Sequence, residues 1–182
     1  MLFKIADINN QSELFWENIF QIEEFPEFSR LIIGCKSKEI PLVLKLCEKM
    51  KGPFGVLHVL LVSRRGKEPG RYQTPHPLAY DDLKMFLYEH QEYFERDGRH
   101  HLWVYSLSGE GQFIFDNHNY IYAYGDLQTY ISILTADNFR QGEIKIPSPH
   151  CHNYHVEFDV EEELVNNAFE WIFNPLHDSD DP

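Results

Sequence analysis

The chain has 182 residues, 43% of them hydrophobic and 15% aromatic, and a formal net charge of −13. That composition excludes an intrinsically disordered chain, and no run approaches the ~18 apolar residues of a membrane span. A field of this sign repels nucleic acid and anionic membrane and attracts basic partners.

The N-terminal stretch MLFKIADINNQSELF has neither a basic region nor a continuous apolar run, so no signal peptide is expected. Three widely spaced cysteines, Cys35, Cys47 and Cys151, argue against a disulfide framework and for reduced thiols in the cytoplasm. The acidic residues gather at the two ends. Between Ser12 and Phe28 stand Glu13, Glu17, Glu23, Glu24 and Glu27 with no Lys or Arg. After Lys145 there is again no Lys or Arg, while Glu157, Asp159, Glu161, Glu162, Glu163, Glu170, Asp178, Asp180 and Asp181 follow.

In chain order, Ser12 caps a first helix over 12–24 with Phe15, Ile19 and Ile22 on its apolar face, stopped by Pro26. Residues 31–35 read as a short strand. Pro41 suits the first turn of a second helix, where Val43, Leu46, Cys47 and Met50 recur at helical spacing. FGVLHVLLVS (54–63) is apolar almost throughout, as a central strand buried on both faces requires. His58 within it is expected to be buried and satisfied by hydrogen bonds, as is His90. The following stretch, RRGKEPGRYQTPHP, reads as a long polar loop, with Arg64, Arg65, Lys67 and Arg71 facing solvent.

A third helix starts at Tyr80 or Asp81, carries Leu83, Phe86, Leu87, His90 and Phe94 on one face, and ends at Gly98. Residues 101–107 form a strand. Residues 112–116 and 120–124 pair as a hairpin around Asn117-His118, with Tyr120, Tyr122 and Tyr124 alternating along one side. Asp126 caps a helix with Leu127, Tyr130, Ile131 and Leu134 in register. Glu143 to Ile146 reads as a strand. Asp159 with Glu162 resembles a capping box opening a last helix, 159–173, which Asn174-Pro175 ends. The expectation is one α+β domain over 1–175: a mixed sheet with a three-stranded antiparallel meander, covered by about five helices. Residues 176–182 would be a frayed acidic tail.

The densest chemistry lies in PSPHCHNYHVEFD (147–159). Pro147-Ser148-Pro149 keeps the segment extended and at the surface. On an extended segment His150 and His152 project to one side, and His155 can join them as ligands of a divalent ion such as zinc. His100, His101, Asp116 and His118 lie near the ends of neighbouring strands and can complete such a site. Cys151 would point to the opposite side, which argues against a Cys–His nucleophile. The spacing matches no zinc finger or HExxH helix, and the phosphate-loop, nucleophile-elbow and dinucleotide motifs are absent.

The stretch DGRHHLWVYSLSGEGQFIFDNHNYIYAYGDL (97–127) resembles the central segment of a family of small bacterial proteins in which a DGRHHLWV strand leads into a hairpin ending YAYG. The layout as a whole is similar in character to immunity proteins of bacterial polymorphic toxin systems, small acidic cytoplasmic domains that neutralise a basic toxin. The absence of Lys and Arg from the acidic segments 12–24 and 159–173 makes the leading expectation a non-enzymatic protein that binds a basic protein through Glu13, Glu17, Glu23 and Glu24 at one end and Glu161, Glu162 and Glu163 at the other. Trp16 and Trp171 would lie at the rim of that surface. The alternative is a metal-dependent, hydrolase-like enzyme using the 150–155 histidines. A third reading is a small-molecule pocket lined by Tyr120, Tyr122 and Tyr124.

Overall fold

A computed structural model describes residues 2–9, 11–146 and 148–180. Pro147 and Asp181 therefore lie outside the described residues, as does the last part of the 176–182 tail. The architecture is α+β. The strands are β1 (Ile5–Asp7), β2 (Ile19–Glu24), β3 (Ser29–Gly34), β4 (Phe54–Leu60), β5 (Gly70–Gln73), β6 (His100–Ser106), β7 (Gln112–Phe115), β8 (Tyr120–Tyr124), β9 (Arg140–Gln141), β10 (His150–His152) and β11 (Ile172–Asn174). The helices are α1 (Glu39–Cys47), α2 (Tyr80–Glu89), α3 (Gln91–Arg96), α4 (Leu127–Ala136) and α5 (Asp159–Asn167).

Nine strands form one sheet in the order β11-β5-β4-β6-β7-β8-β3-β2-β9, and β1 pairs separately with β10. Every pairing in the large sheet is antiparallel except β2 with β9, so the sheet is mixed. Alternation along the strands sends two sets of side chains to opposite faces. Leu31, Ile33, Val56, Leu102, Val104, Phe113, Phe115, Ile121 and Ala123 meet residues from all five helices in one buried cluster. The other face carries Ile32, Tyr120 and Tyr122, covered by Trp16, Ile144 and Ile146 from segments outside the ladder. β4 is buried along its whole length, as its continuous apolar run predicts.

Four predicted elements are replaced, and the single helix expected from Tyr80 to Gly98 is broken at His90 into α2 and α3. Residues 12–24 are not a helix: Ser12 and Glu13 run back along β1, and Ile19–Glu24 pairs with β3. Ile19, Phe20 and Ile22 suit a pleated surface as well as a helix face. Pro26 turns a hairpin, closed by the Phe25 N–H to Phe28 carbonyl bond of 2.8 Å. The last helix stops at Asn167, because Ile172–Asn174 lies along the open edge of β5, with Phe173 beside Tyr72. β5 itself lies within the stretch expected to be a polar loop. Glu143 to Ile146 forms no strand; Arg140–Gln141 takes that place beside β2.

The tail is held through its described residues. Asp180 is 3% exposed and accepts from Arg71 Nη1 at 2.6 Å.

Arg99 is the largest fully buried side chain, and all five of its guanidinium N–H groups have acceptors. Nε donates to Asp97 Oδ1 at 2.7 Å, and Nη2 donates to Asp97 Oδ2 at 3.0 Å and the His155 carbonyl at 2.7 Å. Nη1 donates to Asp159 Oδ1 at 3.2 Å and to Glu162 Oε2. The Arg99 carbonyl accepts from Leu61 N at the end of β4. Asp159 and Glu162 therefore do not form a capping box; α5 opens after Phe158 with no side-chain cap.

His58 is fully buried on the helix face, and neither ring nitrogen has a protein partner, contrary to the expected satisfied histidine. His100, 5.3 Å away between ring centroids, is in the same state. Burial lowers His58 to about 3, reinforced by His90 and Lys67. The unfolded chain protonates this ring below about pH 6.5, whereas the folded chain does not until about 3. The stability His58 confers is whole above pH 6.5 and lost as pH falls, by about 1.4 kcal/mol per pH unit. Burial lowers His100 and His152 as well, so urea unfolding at pH 6.5 and 5 should show a slope steeper than one group gives, and His58→Phe should reduce it by about 1.4 kcal/mol per pH unit without abolishing it.

Candidate metal centre

The segment expected to be a surface loop is strand β10. It lies antiparallel to β1, with Asp7 opposite His150, Ala6 opposite Cys151 and Ile5 opposite His152. The pleat puts the imidazoles of His150 and His152 on one side and Cys151 on the other. The β7–β8 turn brings His118 to them. Asp116 builds that turn: Oδ1 accepts from the backbone N–H of His118 at 3.0 Å and of Tyr120 at 2.8 Å, while Asn119 takes a positive φ of 62°. Trp16, packed against Tyr120 with ring centroids 4.5 Å apart, fixes the turn from outside by donating its Nε1–H to the His118 carbonyl at 3.2 Å. Below it, the buried Lys4 ammonium donates to the Asp116 carbonyl and lies 3.8 Å from the Phe115 ring centroid. Burial lowers the Lys4 amine to about 8, against the pull of Asp116 and Glu39.

One ring nitrogen each from His118, His150 and His152 lies within 4.8 Å of the other two. The rings stand nearly perpendicular to one another, at interplanar angles of 75°, 71° and 87°. The opposite nitrogens decide the tautomers. His118 Nδ1 meets Asp116 Oδ2 at 3.1 Å, and His152 Nδ1 meets the Asn117 carbonyl at 3.1 Å. Carboxylate and carbonyl oxygens only accept, so both Nδ1 atoms carry hydrogen and both Nε2 atoms keep a lone pair. A carboxylate or carbonyl behind each imidazole is the usual outer support of a histidine metal ligand. His152 is lowered to about 4 by burial and by the neighbouring His118 and His150, which keeps it neutral near pH 7. A tetrahedral ion at about 2.1 Å from each nitrogen would hold them roughly 3.4 Å apart, a spacing inside that 4.8 Å limit. Gly98 allows β10 to come this close, since a Cβ there would stand 3.0 Å from His152 Cβ and 3.1 Å from the Lys4 carbonyl.

His155, expected as the third ligand, is elsewhere. Its Nε2–H donates to the Phe3 carbonyl at 2.9 Å, its backbone N–H donates to Asp97, and its ring faces Phe158. Val156–Phe158 turns as a short 3₁₀ helix, so the chain leaves the strand before His155 can face His150. The sequence reading names His118 and Asp116 only as groups at nearby strand ends. The signal for them is the Asp-x-His spacing inside a tight turn, where one carboxylate serves both the turn and the imidazole.

The carboxylates expected to face a basic partner are mostly engaged within the chain. Glu162 is fully buried against Arg99 and Ser63, which removes it from any surface. Glu161 accepts from His90 Nδ1 at 2.6 Å, Glu163 from Arg65 at 2.6 Å and Glu23 from Arg30 at 2.6 Å. Glu17 stands in a loose exposed pair with Arg140 at 3.5 Å; Glu24 is exposed and Glu13 half-buried beside Ala6. The basic loop supplies these partners, with Arg64 meeting Asp159 at 2.9 Å. Trp16 is 9% exposed and so lies inside rather than at a rim. Trp171 packs on Phe86, Phe169 and His58. Of the three tyrosines, Tyr120 is buried under Trp16, Tyr124 holds Arg30, and Tyr122 borders a cavity beside His118.

Asp116→Ala should weaken zinc affinity about 10- to 100-fold, the usual effect of removing an outer partner. Competition with a zinc-chelating dye reads that change.

Comparison with protein-family models, curated proteins and solved structures gave no match.

Proposed function

We propose that the chain is a divalent-metal protein in which His118, His150 and His152 hold a zinc-type ion and leave a coordination position open. The observation that carries this reading is the convergence of three imidazole nitrogens within 4.8 Å. Three protein ligands with an open position are the pattern of catalytic zinc, whereas structural zinc closes four. An ion held so polarises a bound carbonyl or phosphoryl oxygen and lowers the pKa of bound water, which suits metal-assisted hydrolysis. We infer a cytoplasmic setting, supported by three cysteines that are all unpaired. Elemental analysis of the purified, untagged protein tests the reading. About one equivalent of zinc, iron or manganese is expected, lost in His118→Ala and in His150→Ala/His152→Ala but kept in His155→Ala. No metal in the wild type after incubation with zinc and desalting would defeat it.

A second reading, an acidic surface for a basic protein in the manner of immunity proteins, is favoured by Val160 and Leu164. They are 68% and 50% exposed, one turn apart on α5 and flanked by Glu157 and Glu163. A low-salt pull-down from a lysate of the source organism should then recover a basic protein that salt elutes. Val160→Glu/Leu164→Glu should lose it; recovery of nothing that salt elutes counts against the idea.

A further inference from the structure

We propose that the cavity beside the histidine centre binds a small planar carboxylate. It holds about 300 Å³, the lower end of the range for small-molecule sites. Its floor is a row of directly opposed residues on three neighbouring strands: Trp103 faces Ile114 and Ile114 faces Tyr122. With strands about 4.8 Å apart, such a row makes a flat apolar strip about 10 Å wide, a surface for a planar ring rather than a branched chain. Guanidinium groups stand at both ends, Arg30 at 4.6 Å from the Tyr122 ring centroid and Arg71 at 5.1 Å from that of Trp103.

What the cavity keeps for a ligand is unused donor groups, since each arginine already has a carboxylate partner, Arg30 with Glu23 and Arg71 with Asp180. The two carboxylates on the cavity wall are already used: Asp180 accepts from Arg71 and from the His177 backbone, and Asp116 accepts from the His118 turn. Arg30 is held in place by Glu23 at 2.6 Å and the Tyr124 hydroxyl at 2.9 Å, and these bonds use two of its five N–H groups. Wall residues also carry polar atoms with no protein partner: Trp103 Nε1, His101 Nε2 and both atoms of the Asn117 amide. The indole N–H only donates, so a ligand group that pairs with it must bring an acceptor oxygen. A fixed guanidinium with unused donors matches a carboxylate. His118 and Asp116 belong to the cavity wall and to the histidine centre alike, so the inference rests on the metal reading for one further contact, from ligand oxygen to the ion.

Benzoate is the probe, titrated calorimetrically into zinc-loaded and chelator-treated protein with zinc content measured alongside. Saturable one-to-one binding is expected. Benzyl alcohol, which lacks the charge, should bind about tenfold more weakly or worse. Arg30→Gln should weaken benzoate about tenfold with zinc content unchanged, and Trp103→Phe, which keeps the ring and removes the N–H, should weaken it independently. Absence of benzoate binding to zinc-loaded protein overturns the proposal and leaves the metal reading standing. Equal binding by wild type and both variants also overturns it. If the wild type takes up no zinc, the metal reading falls alone, and the metal-free protein then decides: saturable benzoate binding supports the cavity, and none overturns it.

Discussion

The guanidinium of Arg99 lies where four parts of the chain meet: the start of β6, the end of β4, the backbone at His155 and the first turn of α5. Burying one cation among Asp97, Asp159 and Glu162 is costly unless every donor and acceptor is satisfied, and here every guanidinium N–H is. Such a node tolerates little displacement, because removing one partner from a buried ion pair costs about 3 to 5 kcal/mol. Burial works against the charged form, but the bonds to Asp97 and Glu162 keep Arg99 protonated. Its effect reaches the candidate site along the chain. Asp97 also holds the His155 backbone, Gly98 donates to Asn153, and β10 lies immediately before that residue.

The same logic governs the surface charge. A net charge of −13 and two stretches without Lys or Arg suggest a protein waiting for a basic partner. Folding supplies much of that partner internally. The basic loop 64–71 lies beside α5 and the tail, so Arg64, Arg65 and Arg71 meet Asp159, Glu163 and Asp180. The exposed pairs among these contribute little each, about 0 to 1 kcal/mol, while the Arg71–Asp180 pair is mostly removed from water. What remains outside is an acidic surface with exposed aliphatic side chains on α5, and a sheet face whose histidines, tyrosines and arginines are only partly covered.

The two faces of the sheet divide the work. The helix side is packed and apolar, with His58 and His100 enclosed as neutral rings. Among the described residues the opposite side is covered by Trp16, Ile144 and Ile146 from outside the ladder and by the short turn at Asp178–Asp180, and the cavity beside the three-histidine cluster lies there. Sites formed of turns and short strands over a rigid sheet are a common arrangement, since the sheet holds positions while the loops supply chemistry.

Local pattern carried much of this in the sequence. Residues 54–60 form a central strand with seven successive positions buried, and the hairpin follows from alternation, although the positive φ of its turn falls on Asn119 and not on Asn117. The α4 cap at Asp126 was equally legible, since it needs only Thr129 three residues on. Periodicity failed where apolar spacing fits two periods, as at 12–24, and where short strands form by pairing with a neighbour, as at 70–73 and 172–174. The sequence by itself determined the α+β class, the extended form of His150 and His152, and the projection of Cys151 away from them. Only the tertiary structure decided that the third histidine is His118 and not His155. Neighbours in sequence share a face only while the strand lasts, and a residue 32 positions earlier reached the site because Asp116 and Trp16 hold its turn against β10.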